Sequence, residues 1–308
     1  MRALAAQLAA LACISALCGC GLGAGSAPRA VQLLVTRDFG ARLLALTQNP
    51  TLRGQETVMS LLIRNDGVGT RYGGRFVQSI GGLSAGEEGG KPVDWFYYVN
   101  GVEAHLGAAA TQVHPGDHIW WDRHDWSQTD DVPAVVGSFP QPFLNGLEGK
   151  RLPVRVECTE AQGPDCRAVV ERLRGEGVPA AVSAPASGGA EHTLRVLVGP
   201  WRAVRGDLAA ATIEHGPRAS GVYALLTRDG STLTLLDRDG RQVRTARGGA
   251  GLIAATRHGE DAPVWVVTGT SARGVALAAH SLTPATLRDH FAVAVLPSGP
   301  VALPTQGT

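Results

Sequence analysis

Short runs of apolar residues recur along the chain, and most of them have the length and alternation of strands. In the first half these runs are VQLLVTRDFG, ARLLALTQN, RFVQSIGGL, VDWFYYVNGVEA and HIWWDRH. One segment differs, because GQETVMSLLIRN places Val58, Leu61 and Leu62 at helical spacing, with Glu56 and Thr57 at its start. Two strands, a helix and further strands follow the order of a β-grasp fold.

A hairpin is predicted within this half. Asn100 and Gly101 stand between two apolar runs, and a type I′ turn needs residues that accept positive φ at both central positions. The fourth run is therefore expected to turn back on itself there.

The second half alternates strand and helix patterns. LPVRVEC, PDCRAVVERLRGEG and VPAAVSAP predict strand, helix and strand, and HTLRVLVGPW with AVRGDLAAATIEHGP repeats the order. A hairpin is expected at Asp229-Gly230, and strands with a further helix follow it. We predict an α+β protein, in which a β-grasp-like domain precedes an α/β domain with a mixed sheet.

The predicted domain bounds follow from these patterns. They are a leader at 1–20, a tether at 21–30, the β-grasp domain at 31–147 and the α/β domain at 150–308, with a sub-boundary at 185–190 left open.

Composition narrows the class of protein. The chain is 44% apolar and 18% charged, which is enough to bury a core and excludes a disordered protein. Lys and Arg number 28 against 27 Asp and Glu, and the two signs are interspersed. No basic face for nucleic acid is therefore predicted.

The first residues, MRALAAQLAALACISALCGCGLG, form an apolar stretch after one arginine, as in a secretory leader. Leu17 to Cys20 resemble a bacterial lipobox, although Cys18 stands where Ala, Ser or Thr is usual. We predict lipidation at Cys20 and a location on the outer face of the cytoplasmic membrane. An uncleaved anchor and an ordinary secretory leader are the alternatives.

Five cysteines are present. Cys13 and Cys18 would leave with the leader and Cys20 would carry the lipid, so Cys158 and Cys166 remain. In an oxidising compartment this pair predicts a disulfide across a short, turn-rich loop. A metal site is the weaker alternative, because two thiols fall short of four ligands.

Aromatic residues are concentrated in one window of a chain that is only 5% aromatic. Successive strand residues face opposite sides, so both faces of the strand through DWFYYV carry rings. One helix can cover only one face of a β-grasp sheet. We therefore expect some rings to stay available for recognition. The rings are Trp95, Phe96, Tyr97, Tyr98, Trp120, Trp121 and Trp126.

RYGGRFVQSIGGL, DWFYYVNG and VHPGDHIWW follow one another in an order and spacing that resembles the transcobalamin-like C-terminal domain family, over about 31–125. The resemblance implies a β-grasp-like fold and, for the animal members, a lid over a corrinoid. Those members also use a large helical domain for most of the pocket, and none is predicted here. What carries over is a small flat ligand or another partner.

Two other chemistries were weighed. HPGDHIWWDRHD interleaves His114, His118 and His124 with aspartates, but Pro115-Gly116-Asp117 is the turn entering the last strand of the resembling family, and we predict no metal site. No nucleophile elbow, complete dinucleotide fingerprint or phosphate loop is present. We predict no catalytic residues and no cofactor. An enzyme in the second half, using Asp207, His215 or Asp237 at strand ends, is the third hypothesis.

The leading hypothesis is a lipid-anchored extracytoplasmic protein, not an enzyme, that binds a small flat ligand, such as a cobamide or other tetrapyrrole, near a membrane transporter. The alternative is a cell-surface interaction protein or structural lipoprotein without a small ligand. The predicted ligand contacts are Tyr72, Trp95, Tyr98, Asn100, Trp121 and Trp126.

Overall fold

The computed structural model describes residues 29–185 and 192–306. It is an α+β protein, as predicted. The predicted lipidation site, Cys20, lies outside the described residues. Within them, no helix has both the length and the apolar character needed to cross a lipid bilayer.

The first half contains one mixed sheet, one helix and a small antiparallel sheet. The mixed sheet has the order β2-β1-β9-β7-β6, with β8 paired to β7, and β1 and β9 run parallel. The small sheet joins β3, β4 and β5. The elements are β1 (Gln32–Arg37), β2 (Arg42–Gln48), α1 (Val58–Asn65), β3 (Val68–Arg71), β4 (Phe76–Ile80), β5 (Leu83–Ser84), β6 (Gly86–Glu88), β7 (Lys91–Val99), β8 (Val102–Glu103) and β9 (His118–Asp125).

The second half is built on a seven-stranded mixed sheet of order β11-β10-β12-β17-β16-β18-β19, accompanied by the antiparallel sheet β13-β14-β15. Its strands are β10 (Val154–Cys158), β11 (Ala181–Ser183), β12 (Leu194–Pro200), β13 (Ala224–Leu226), β14 (Thr232–Leu236), β15 (Gln242–Arg247), β16 (Gly251–Thr256), β17 (Val264–Gly269), β18 (Ala292–Leu296) and β19 (Gly299–Leu303). Its α-helices are α2 (Pro164–Gly175), α3 (Trp201–Val204), α4 (Leu208–Ala211), α5 (Pro217–Ser220), α6 (Ala272–Ser281) and α7 (Pro284–Leu287).

Helix α1 begins where its sequence predicts. The Thr57 side chain accepts a hydrogen bond from the Ser60 amide, and the Ser60 hydroxyl accepts one from the Thr57 amide. This reciprocal capping satisfies two amide groups that the first turn leaves unpaired. Val58, Leu61 and Leu62 are buried against the sheet, as their helical spacing predicts.

The helix expected through AVRGDLAAATIEHGP is broken into short pieces. The Asp207 carboxylate accepts from the amides of Ala209 and Ala210 and so starts α4 as a separate helix. Gly216 adopts φ of +74°, and this ends the 3₁₀ turn before α5.

The disulfide prediction is confirmed. Cys158 at the end of β10 is bonded to Cys166 in the first turn of α2. The bond ties the first helix of the second half to the strand that precedes it, and both cysteines are buried.

Candidate functional site

The six residues predicted to bind a ligand do not converge on one surface. Trp95 and Trp121 belong to the core between the sheet and α1. Tyr98 lies on the opposite face of the sheet and is fully buried. Tyr72 stands on the turn between β3 and β4 and is 79% exposed. Asn100 lies in the β7–β8 turn, and Trp126 directly follows β9.

The α1 face of the sheet encloses its rings. Tyr97 and Trp121 are paired on adjacent strands and stack with centroids 4.8 Å apart. The Trp95 indole donates to the Leu83 carbonyl at 3.1 Å. Trp95, Tyr97 and Trp121 are all buried. This face is therefore the hydrophobic core beneath the helix.

The second face is covered by the other half of the chain. Phe291, directly before β18, makes edge-to-face contacts with Phe39, Tyr98 and Trp120, at centroid distances of 5.3, 5.5 and 5.3 Å respectively. It makes a fourth with His124 at 5.5 Å. We call these four residues the aromatic socket. They hold a side chain of this same polypeptide. Of the seven rings, five are buried, Phe96 is partly buried and Trp126 is exposed, so the rings do not form the continuous surface that was expected.

A buried carboxylate holds part of this socket in place. Asp122 is fully buried and accepts hydrogen bonds from the amides of Phe39 and Gly40, at 3.0 and 2.8 Å, and from the Thr36 hydroxyl. His124 Nδ1 lies 2.8 Å from the same carboxylate. The imidazole is stacked between Phe39 and Phe96, with both centroid distances 4.4 Å. The histidine and aspartate therefore serve packing here.

No metal centre is built from this strand. In residues 29–185 and 192–306, no three or more His, Cys, Asp or Glu side chains are grouped so that they could hold a metal ion. His118, which shares the face of Asp122 and His124, bonds instead to Ser138.

The second half leaves part of the sheet's second face uncovered. Its contacts with the socket lie over β7 and β9, whereas β2 is an edge strand. A register shift in β2 opposite Val35 and Thr36 pairs Leu46 with Leu34 and Leu43 with Thr36. Leu43 and Leu46 are consequently on the second face and remain 58% and 42% exposed.

A cleft of about 570 Å³ opens over these leucines. Its floor is the second face of β1 and β2, and its opposite wall is the segment 137–145 that connects the halves. The end of α2 and the segment after α7 contribute the rim, including Glu176, Arg288 and Asp289. Gly137 allows the connecting segment to lie close to its neighbours, because a Cβ at this position would be 2.7 Å from the His290 amide nitrogen and 2.8 Å from the Trp120 ring.

The polar end of the cleft is His118 with Ser138. His118 Nδ1 lies 2.7 Å from the Ser138 hydroxyl, and both side chains are buried while lining the cleft. Burial lowers the pKa of His118 to about 4. The imidazole is therefore neutral at neutral pH, able to hydrogen-bond but unable to form an ion pair.

Asn100, a predicted ligand contact, is committed to the framework beside this end. Its amide donates to the Asp117 carboxylate at 2.8 Å and to the Gly146 carbonyl at 2.9 Å, and its oxygen accepts from the His118 amide. Asn100 and Gly101 have φ of 54° and 78°, as the predicted hairpin requires.

The three acid and base candidates of the second half are not brought together. Asp207 pairs with buried Arg195 at 2.7 Å in addition to capping α4. Asp237 accepts from the amides of Asp239 and Arg241 in the β14–β15 turn. His215 ends a 3₁₀ turn. Each has a local structural role.

Sequence reasoning missed the cleft. His118 was considered only as a metal ligand, and Ser138 lay in a segment interpreted as an ordinary connection. One signal was available: VVGSFPQPF combines a serine with apolar residues and two prolines. Its neighbour across the cleft comes from 32–48, however, and pattern alone does not give that pairing.

Comparison with protein families finds one match. Residues 55–125 match a family described as a domain of unknown function, DUF4430. The match runs from just before α1 to the end of β9, so β1, β2 and the whole second half lie outside it. None of the curated proteins matches the chain significantly.

Proposed function

We propose that the protein is an extracytoplasmic, lipid-anchored binding protein, not an enzyme, that holds a small molecule in the cleft between its halves and works near a membrane transporter. The observation that carries the proposal is the cleft itself. At about 570 Å³ it lies within the range of about 300 to 1,000 Å³ typical of small-molecule sites. Apolar side chains on the floor, with polar groups that can orient a ligand, are also typical of such sites.

The matched family and the resembling motifs support the first half of this proposal. In the transcobalamin-like domains that the motifs resemble, a β-grasp sheet covers a ligand held largely by another domain. Here too the sheet faces a second unit, with the cleft between them. The prediction of a cobamide or other tetrapyrrole depended on exposed rings, and most of those rings are buried.

The properties of His118 support a binding role over catalysis. A general base works best when its pKa is near the operating pH, and burial lowers the pKa of His118 to about 4. So weak a base activates the Ser138 hydroxyl less than an imidazole with a pKa of about 7 would. Hydrolysis of p-nitrophenyl acetate that disappears in Ser138→Ala, with the fold retained, would contradict this part of the proposal.

The test uses the full chain with Cys20→Ser and the neutral apolar fluorophore N-phenyl-1-naphthylamine. We expect a saturable rise in fluorescence that Leu46→Glu removes, because that substitution places a charge on the cleft floor. Leu44→Glu is the matched control, since Leu44 is 45% exposed on the same strand and does not line the cleft. No saturable binding, or equal binding by both variants, would overturn the proposal. Cyanocobalamin, titrated in parallel, tests the tetrapyrrole prediction.

One observation favours an interaction protein as the second candidate. β2 is an edge strand with Leu43, Leu44 and Leu46 exposed, and such edges can add a strand from another chain. On this hypothesis the cleft binds no fluorophore.

A further inference from the structure

A ring nitrogen of His118, at the polar end of the cleft, is available to a ligand. His118 is only 7% exposed. Its Nδ1 is engaged by Ser138 at 2.7 Å, and its Nε2 has no hydrogen-bond partner within the part of the chain that the structure describes. Nε2 is not one of the fully buried side-chain atoms that lack a partner, so the cleft leaves it accessible, and a ligand group can take the place of water there.

Two neighbouring polar side chains at this end are already hydrogen-bonded within the protein. The Asp117 carboxylate accepts from the Asn100 amide and from the backbone amide of His114, both at 2.8 Å. Gln141 donates to the Gly116 carbonyl and accepts from the Asn145 amide. A ligand therefore meets His118, with the Ser138 hydroxyl beside it.

The polar end does not suit a charged ligand group. The imidazole is neutral and cannot compensate an anion. The Asp117 carboxylate is 2% exposed and held by two hydrogen bonds and by His114 Nδ1 at 3.5 Å, so it presents little surface to a cation. Moving an unpaired charge from water to such a place is strongly unfavourable. The rim carries both signs, in Arg288, Asp289 and Glu176, so it selects neither.

The leucine-lined part of the cleft suits an aliphatic body, and the polar side chains Gln32, Gln48 and Asn145 border it. Leu34, Leu43 and Leu46 form the floor, and Phe139 and Leu144 face it from the connecting segment. Burial of apolar surface against these side chains would supply most of the binding free energy.

From these features, and resting on the proposed function, we infer that the cleft binds an uncharged amphiphile: an aliphatic chain with one hydroxyl or carbonyl group hydrogen-bonded to His118 Nε2. Ser138 holds the imidazole in place from its other side.

The experiment measures displacement of N-phenyl-1-naphthylamine at pH 7 by four compounds with the same eight-carbon chain: 1-octanol, 1-chlorooctane, octanoate and octylamine. We expect 1-octanol to bind more tightly than the two charged compounds. One net hydrogen bond corresponds to about a 2- to 10-fold change in affinity. His118→Phe should therefore weaken 1-octanol by about that factor and leave 1-chlorooctane unchanged.

Thr47→Ala, on β2 but outside the lining of the cleft, is the control for 1-octanol binding, and circular dichroism checks each fold. Ser138→Ala provides a second variant if His118→Phe does not fold, with a smaller loss for 1-octanol expected. Tighter binding of octanoate or octylamine, or equal loss for 1-octanol and 1-chlorooctane in the variants, would overturn the inference. In those cases the fluorophore still binds in the cleft, whereas failure of the proposed function removes fluorophore binding itself.

Discussion

Replacing Phe291 with alanine tests whether the aromatic socket joins the two halves into one folding unit. The Phe291 ring is 3% exposed and meets four socket side chains at centroid distances of 5.3 to 5.5 Å. Truncating a buried phenylalanine to alanine typically costs about 3 to 5 kcal/mol, through lost burial and the cavity left behind. The upper part of this range is expected, because a socket anchored by buried Asp122 has little freedom to collapse.

Urea unfolding followed by far-ultraviolet circular dichroism measures this loss. Phe76→Ala is the matched control, because Phe76 is 37% exposed on β4, and exposed substitutions usually change stability by about 0.5 kcal/mol or less. We expect one cooperative transition in both proteins, with a lower midpoint in Phe291→Ala alone. A loss below about 1 kcal/mol would show that the socket contributes little packing energy.

Three other measurements follow from the structure. Trp126 is 39% exposed, while the other five tryptophans are at most 6% exposed. Acrylamide should therefore quench the fluorescence of one tryptophan population, and Trp126→Phe should remove that population. Quenching of several tryptophans would contradict the burial of the rings. Replacing Cys158 and Cys166 together with alanine should lower the free energy of unfolding by about 2 to 3 kcal/mol, since the bond closes a short loop, and an unchanged urea midpoint would contradict this. Burial, and then the adjoining Asp131 carboxyl, raise the pKa of Glu103 from 4.5 to about 8. Because the folded state binds the proton more tightly than the unfolded state, the free energy of unfolding should fall as pH rises from about 4.5 to 8. Glu103→Gln should flatten that fall when urea midpoints are compared across pH.

Local patterns predicted the elements of this fold where side chains are buried on a regular period. Helix α1, the turn at Asn100-Gly101 and the strands around it follow from spacing and turn chemistry. Strand β15 was missed, because its residues, QVRTAR, are mostly exposed and carry little apolar signal. Its pairing with β14 comes from the neighbouring strand, not from its own pattern.

The candidate site was predicted less well, and the reason is tertiary. Alternation correctly assigned Trp95 and Tyr97 to one face of β7 and Phe96 and Tyr98 to the other. It did not indicate what covers each face. The covering residue, Phe291, lies far along the chain, so no window around DWFYYV could reveal the socket.

The same covering arrangement explains why a cleft exists. The second half reaches the sheet through Phe291 and packs over β7 and β9. β2, at the sheet edge, extends past this contact, and its irregular register turns both Leu43 and Leu46 toward the side where the second half would have to lie. A fold that served packing alone would gain stability by covering these leucines, since exposed apolar side chains forgo about 1.5 to 3 kcal/mol each when left in water. The connecting segment instead stands off from them, and its Ser138 meets His118 of β9 in the lining of the cleft. Uncovered leucines beside a buried imidazole with one ring nitrogen open to the cleft are the combination that the proposed binding function requires.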